Sequence, residues 1–336
     1  MSLLVRNGRG EQRELADGVG VYLWTGDGLW RAWRACEQTL TRIRPDIVVL
    51  HGGTASWTSG KAIRELVEAV RAAIPGVRVW AGLAGDARLD AWRSGTGTEA
   101  SVVTPLCDAA RAAQALGCEC LILDPEGKWK DQAGDARSRA EHEALAQRVV
   151  REIAVAAPSL VLGLTTYDHA GHHSSYPWRG FLRASAVSMY LPQIYAANAT
   201  PMRGELSARA AAAAASQARA ERGGLLPPDA QPDTWSDLDR VPLYQLHKLH
   251  PGELCEHLCA APLVAGWAAP LIADGGRADA EGLAALEAAL VIRRTVGAGP
   301  GAVRAFQALH ALKADGIVGP ITARAAGVAW PVAATS

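Results

Sequence analysis

The sequence predicts an α/β fold, a (β/α)₈ barrel with a small C-terminal helical extension. Three observations carry this. Short apolar runs alternate with amphipathic stretches from residue 18 onward, and eight such units can be counted. The 336-residue length accommodates one barrel plus a small module. The predicted strands are almost continuously apolar, as expected of a parallel sheet covered by helices on its outer face.

The elements follow in order. Gly18–Trp24 (GVGVYLW) is the first strand. Leu29–Ile43 is a helix, with Trp30, Trp33, Leu40 and Ile43 at helical spacing. Asp46–Leu50 is the second strand and runs into His51-Gly52-Gly53. Lys61–Ile74 is a helix with an apolar stripe of Ile63, Leu66, Val67, Val70 and Ile74. Val77–Leu83 is the third strand, Ala100–Leu116 a helix and Cys118–Leu123 the fourth strand. The second half continues with a helix at Ala136–Val155 and a strand at Leu160–Thr165. A His- and Tyr-rich loop precedes a short helix near Trp178–Ala184. Next come a strand at Ala186–Tyr195, a helix at Leu206–Arg222 and a Pro/Asp-rich loop at Gly223–Asp239. The last two units are Val241–Leu246 with Glu253–Cys259, and Leu263–Ile272 with Glu281–Thr295. The competing architecture is a doubly wound open sheet. No G-x-G-x-x-G follows the first strand and no G-x-x-x-x-G-K-[ST] occurs, so a nucleotide fold lacks its fingerprint.

Composition excludes several classes. Thirty-four basic and 34 acidic residues balance to a formal charge of zero, which argues against a nucleic-acid partner. No apolar run reaches the roughly 18 residues of a membrane span, so membrane insertion is not expected. The N-terminus has no apolar core of a secretory signal, and synthesis in a cytoplasm is expected. Cys36, Cys107, Cys118, Cys120, Cys255 and Cys259 lack zinc-finger spacing and read as reduced, partly buried thiols.

The chemistry concentrates at Leu121–Gly127 (LILDPEG). Side chains alternate along a strand, so Asp124 and Glu126 project to one side, at the C-terminal mouth where barrel chemistry sits. Pro125 lacks an N–H and ends regular pairing. Around this mouth the same reasoning gathers Trp24, Asp27, His51, Trp80, Asp86, Trp129, Tyr167, Asp168, His169, Gln193, Tyr195, Asn198, Gln245, His247, Lys248 and Trp267. Of these, Trp24, Trp80, Trp129, Tyr167, Gln193, Tyr195, Gln245 and Trp267 are the candidate substrate-binding residues. Indoles stack on the apolar faces of sugar rings, and amides and carboxylates take the hydroxyls. The bland alternative is a strand end with a capping Asp and a solvated Glu. Asp168-His169-x-x-His172-His173 is a rival metal-binding reading, favoured less than solvated surface; neither a metal nor any other cofactor is expected. A cysteine nucleophile is disfavoured, because Cys120 lies inside its strand.

Two resemblances sharpen the reading. Val303, Phe306 and Gln307, then Asp315-Gly316-Ile317-Val318-Gly319-Pro320 and Thr322, resemble the second half of the peptidoglycan-binding domain family found on many cell-wall hydrolases. The boundaries that follow are residues 1–297 for the barrel and 298–336 for a partial module. The earlier half of that family has no separate counterpart here: either the eighth barrel helix doubles as its first helix, or the module is truncated. Asp124-Pro125-Glu126 is similar to the D-x-E that ends the signature strand of family 18 chitinases and of family 25 lysozyme-like barrels. The upstream acids of the chitinase signature are replaced by Cys118, Cys120 and Ile122. The resemblance implies Glu126 as general acid. Asp124 would hold an N-acetyl group or steady an oxocarbenium charge, with Gln193 and Tyr195 assisting. It further implies a glycosidase of lysin type, an endolysin or virion-associated bacteriophage protein that degrades the bacterial cell wall after lysis or from a particle. Peptidoglycan or a related bacterial glycan is the expected partner, with other virion or tail proteins. The alternative is a non-catalytic wall-glycan-binding or structural barrel of a phage tail or injection device. A hydrolase of α-glucans or other glycans with a borrowed tail is a third reading.

Overall fold

The computed structural model describes residues 2–16, 18–24, 28–130, 135–166, 175–183, 186–194, 239–240, 243–245, 251–260, 263–267, 280–299 and 301–330. Its centre is a ring of parallel strands. These are β3 (Gly18–Trp24), β4 (Ile47–Gly52), β5 (Arg78–Ala84), β6 (Cys120–Asp124), β7 (Val161–Thr166), β8 (Val187–Ile194), β10 (Leu243–Gln245) and β11 (Leu263–Trp267). Each pairs with the next, β11 returns to β3, and β10 pairs with β8, so the sheet closes on itself. The two-residue strand β9 (Asp239–Arg240) pairs with β8 in the same register as β10: Tyr190 faces Arg240 and Gln193 faces Leu243. β10 falls within the predicted seventh strand, Val241–Leu246, and β9 precedes it, beginning at the last residue of the predicted loop.

The outer layer forms where apolar residues recur at helical spacing. In α1 (Leu29–Ile43), Leu29, Ala32, Trp33, Cys36, Leu40 and Ile43 are buried on the face toward the sheet. In α3 (Lys61–Ala73) the buried stripe is Ile63, Leu66, Val67 and Val70. The other helices are the one-turn α2 (Thr54–Trp57), α4 (Leu89–Arg93), α5 (Glu99–Ala115), α6 (Arg139–Ala156), α7 (Trp178–Arg183), α8 (Pro251–Ala260) and α9 (Ala280–Val296). A capping box opens α6: Ser138 Oγ accepts from Glu141 N at 3.3 Å, and Glu141 Oε2 accepts from Ser138 N at 2.7 Å. The predicted helix over 206–222 lies outside the described residues.

The inside of the ring is a separate apolar cluster of Tyr22, Ile47, Val49, Trp80, Cys120, Ile122, Val161, Met189 and Leu191. Its N-terminal end is plugged by a hairpin that strand periodicity alone did not single out. Strands β1 (Ser2–Arg6) and β2 (Gln12–Ala16) pair antiparallel and deliver Val5 and Leu15 into the same cluster. Asn7 bridges to Val161, and the Arg6 carbonyl accepts from Ser188 Oγ at 2.6 Å. The plug buries apolar side chains that would otherwise meet water at the open bottom of the ring.

After α9 come α10 (Ala302–Leu309) and α11 (Pro320–Ala325). Buried Gln307 is the hub between them. Its Nε2 donates to Asp315 Oδ1 (3.0 Å), to the Ile317 carbonyl (2.9 Å) and to Thr322 Oγ1 (3.1 Å), and its Oε1 accepts from Gly316 N (2.8 Å). Gly316 has φ 78°, a left-handed turn that a side chain would strain. This extension packs on the barrel. Val318 N donates to Glu256 Oε1 on α8 at 3.0 Å, and Gly299 N to the Cys259 carbonyl at 2.9 Å. Helix α9 faces both ways, because Glu287 pairs with Arg42 of α1 while Arg293 donates to the Leu258 carbonyl of α8.

Candidate active site

Asp124 is the last residue of β6 and lies at the C-terminal mouth of the ring. Its register partner on β5 is Ala84, and its carbonyl accepts from Gly85 N at 3.0 Å. Glu126 keeps an extended backbone (φ −118°, ψ −162°), so the two-residue alternation carries through Pro125. It is half-buried, with Oε1 shielded from solvent. A 3₁₀ turn at Gly127–Trp129 follows at once, and Gly127 takes φ 50° to start it.

A titratable partner comes from another strand. His51, in β4, is 3% exposed, and its Nε2 lies 3.3 Å from Asp124 Oδ2. Between the two stands β5, where His51 is paired with Gly82. A Cβ at Gly82 would sit 2.8 Å from both Cβ and Cδ2 of His51. The missing side chain is therefore what lets the imidazole lean across β5 to Asp124. Below it, the Tyr22 ring packs at 5.2 Å between centroids, tilted by 34°. Sequence reasoning put His51 at the mouth but assigned it no role, and it did not select Tyr22. The available signal was alternation: Tyr22 is two residues before Trp24 on β3.

The predicted binding residues divide into three groups. Trp24, Gln193, Gln245 and Trp267 occupy strand positions in β3, β8, β10 and β11; Trp24 pairs with His51, Gln193 with Leu243, and Trp267 with both Gln245 and Tyr22. Tyr167 and Tyr195 lie outside the described residues, as do Asp27, Asp168, His169, His172, His173, Asn198, His247 and Lys248. Trp80 and Trp129 are fully buried, a correction to their expected role as stacking platforms. Trp80 belongs to the cluster inside the ring, and its Nε1 donates to Glu119 Oε2 at 3.2 Å, toward the N-terminal end. Residue 80 is only the third of β5, too low in the strand for the mouth. Trp129 donates to the Gly85 carbonyl at 2.9 Å and meets Phe181 edge-to-face at 4.9 Å. Its indole pins the turn after Glu126 to the loop after β5.

Behind that turn lies a second polar cluster. Asp135 accepts from Arg93 Nε at 2.7 and 2.9 Å, and its Oδ2 is 2.9 Å from Nε2 of the fully buried His142. The His142 ring contacts Trp92 and Trp129 edge-on. Burial holds its pKa below the ordinary histidine value, against the opposing pull of Asp135. The cysteines are all unpaired and buried. Burial pushes the Cys36 and Cys118 thiols up to about 12 and Cys107 to about 11, so these are core residues and not nucleophiles. Among the described residues no cluster of His, Cys, Asp and Glu could hold a metal ion, and no helix is long and apolar enough to cross a membrane.

No protein-family model matches the chain, and no curated protein matches it. Solved structures resemble it in shape. A β-1,4-D-mannanase from Cryptopygus antarcticus superposes with a TM-score of 0.52 at 10% identity, over 86% of this chain and 94% of the mannanase. D-psicose 3-epimerase from Clostridium cellulolyticum H10 gives 0.49 at 12% identity, over 84% of this chain and 99% of that one. A family 18 chitinase from Cycas revoluta gives 0.43 at 16% identity, over 69% of each chain. With the closed parallel ring, the mannanase superposition fixes the fold class as a (β/α)₈ barrel and nothing beyond the fold.

Proposed function

We propose that the chain is a glycan hydrolase of lysin type acting on peptidoglycan, with Glu126 as general acid and Asp124 as its helper. The observation that carries this reading is the pair of acids at the mouth: Asp124 ends β6, and Glu126 follows in extended backbone, braced by the Trp129 anchor. A parallel barrel assembles its chemistry at that end. Glu126 would protonate the glycosidic oxygen as the bond to the sugar breaks. Asp124 would orient the substrate's N-acetyl group or stabilise the positive charge that develops on the ring. The Gln307-centred motif of the extension supports peptidoglycan as the polymer, by its resemblance to wall-binding modules. Release by host lysis or carriage in a phage particle belongs to the same proposal.

A second reading, a non-catalytic glycan-binding or structural barrel of a phage tail, is favoured by one observation. Trp80 and Trp129 offer no free face, so two expected sugar platforms are missing. The experiment compares wild type with Glu126→Gln on isolated sacculi and measures release of reducing ends. The hydrolase reading expects release by wild type and a loss of at least about 100-fold in the variant. Wild type that pellets with sacculi but releases nothing leaves the binding reading standing alone.

A further inference from the structure

We infer that His51 is a positioning residue for Asp124, and that Gly82 exists to make their contact possible. The inference rests on the hydrolase reading and adds a residue to its site. His51 is 3% exposed, and a buried imidazole is expected to have partners for its ring nitrogens. Among the described residues its only polar neighbour of this kind is Asp124, with Nε2 3.3 Å from Oδ2, and neither ring nitrogen makes a well-aligned hydrogen bond there. Long, poorly aligned contacts of catalytic groups are ones that tighten in the substrate complex. The ring rests on Tyr22 on one side, and the Cβ-less backbone of Gly82 lies on the other.

The chemistry follows from the atoms. Asp124 serves only if its carboxylate is held at one angle toward the reacting sugar. When the contact tightens, Nε2–H donates to Oδ2 and adds a fixed donor on the β4 side of the carboxylate. Oδ2 then faces His51, and the plane of the carboxylate is set. His51 moves no proton and touches no substrate; its effect runs through Asp124. The donor must sit at the ε position, because Nδ1 is not the nitrogen that faces the acid.

The test uses the full chain and glycan strands solubilised from sacculi, with reducing ends followed over substrate concentration. His51→Leu is expected to lower kcat by about 10- to 100-fold, the scale of one hydrogen bond to a charged group, with KM little changed. His51→Gln, whose amide N–H sits near the position of Nε2, is expected to recover most of that loss. His51→Asn, whose amide is one atom shorter, is expected not to. In an Asp124→Asn background, His51→Leu is expected to have little further effect. Thermal melts exclude unfolding as the cause. Equal kcat for the Gln, Asn and Leu variants, or full additivity with Asp124→Asn, overturns the proposal. If Glu126→Gln is inactive while His51→Leu matches wild type, the proposal fails and the hydrolase reading stands. An inactive wild type overturns both.

Discussion

Removing the Asp135 carboxylate should destabilise the protein more than any surface change, and removing its partner as well should restore part of the loss. The side chain of Asp135 is 5% exposed, that of Arg93 15%, and that of His142 is fully buried. Both carboxylate oxygens accept from Arg93 Nε, and one also faces His142. In Asp135→Leu the guanidinium loses the carboxylate to which its Nε donates, in a place where water reaches it poorly. Breaking a buried pair from one side costs about 3–5 kcal/mol, and replacing the pair by apolar groups is often near neutral. The expected order of stability is therefore wild type, then Arg93→Leu/Asp135→Leu, then Asp135→Leu. Urea titration followed by far-ultraviolet circular dichroism reads it, with the slope checked for constancy across variants. A loss under about 1 kcal/mol in Asp135→Leu refutes the argument, since that is the range of an exposed ion pair. A double variant less stable than Asp135→Leu refutes it equally, because the loss of this ion pair at Arg93 would then not be the cause.

Two further outcomes follow from the described geometry. His142 has a folded pKa below its unfolded value of about 6.5, so the unfolded chain binds the extra proton first. Stability should be level above that pH and fall as pH drops through it toward the folded value; His142→Gln should flatten this limb, and an unchanged slope in that variant would falsify the assignment. Gln307→Leu should remove the hub of the extension, at about 1 kcal/mol per hydrogen bond lost. Hydrogen exchange should rise over residues 302–325 and stay unchanged in β4 to β7; a rise in both would mean that the extension and the ring open as one unit.

The sequence by itself determined the alternation of elements, because each reports a local period. Leu29–Ile43 was predicted to the residue, since its apolar positions repeat at helical spacing. The acid pair was legible for the same reason: a short apolar run ending in D-P-E places Asp124 at a strand end whatever surrounds it. The extension was legible because its hub is compact, with Gln307 bonding within fifteen residues of itself. What only the tertiary structure decided depends on registration between strands far apart in sequence. The His51–Asp124 contact spans 73 positions' worth of chain, and it needs Gly82 on the strand between them, a requirement that no local pattern records. Trp80 and Trp129 look like surface platforms when only their distance from a strand end is counted. Height within the ring and the packing of the α7 residue Phe181 turn both into core. The β1–β2 plug was equally hidden, since whether a short polar-alternating hairpin lies on solvent or closes a barrel is set by the open end it covers. Local periodicity names the elements; the stagger of the closed sheet chooses which side chains meet at its mouth.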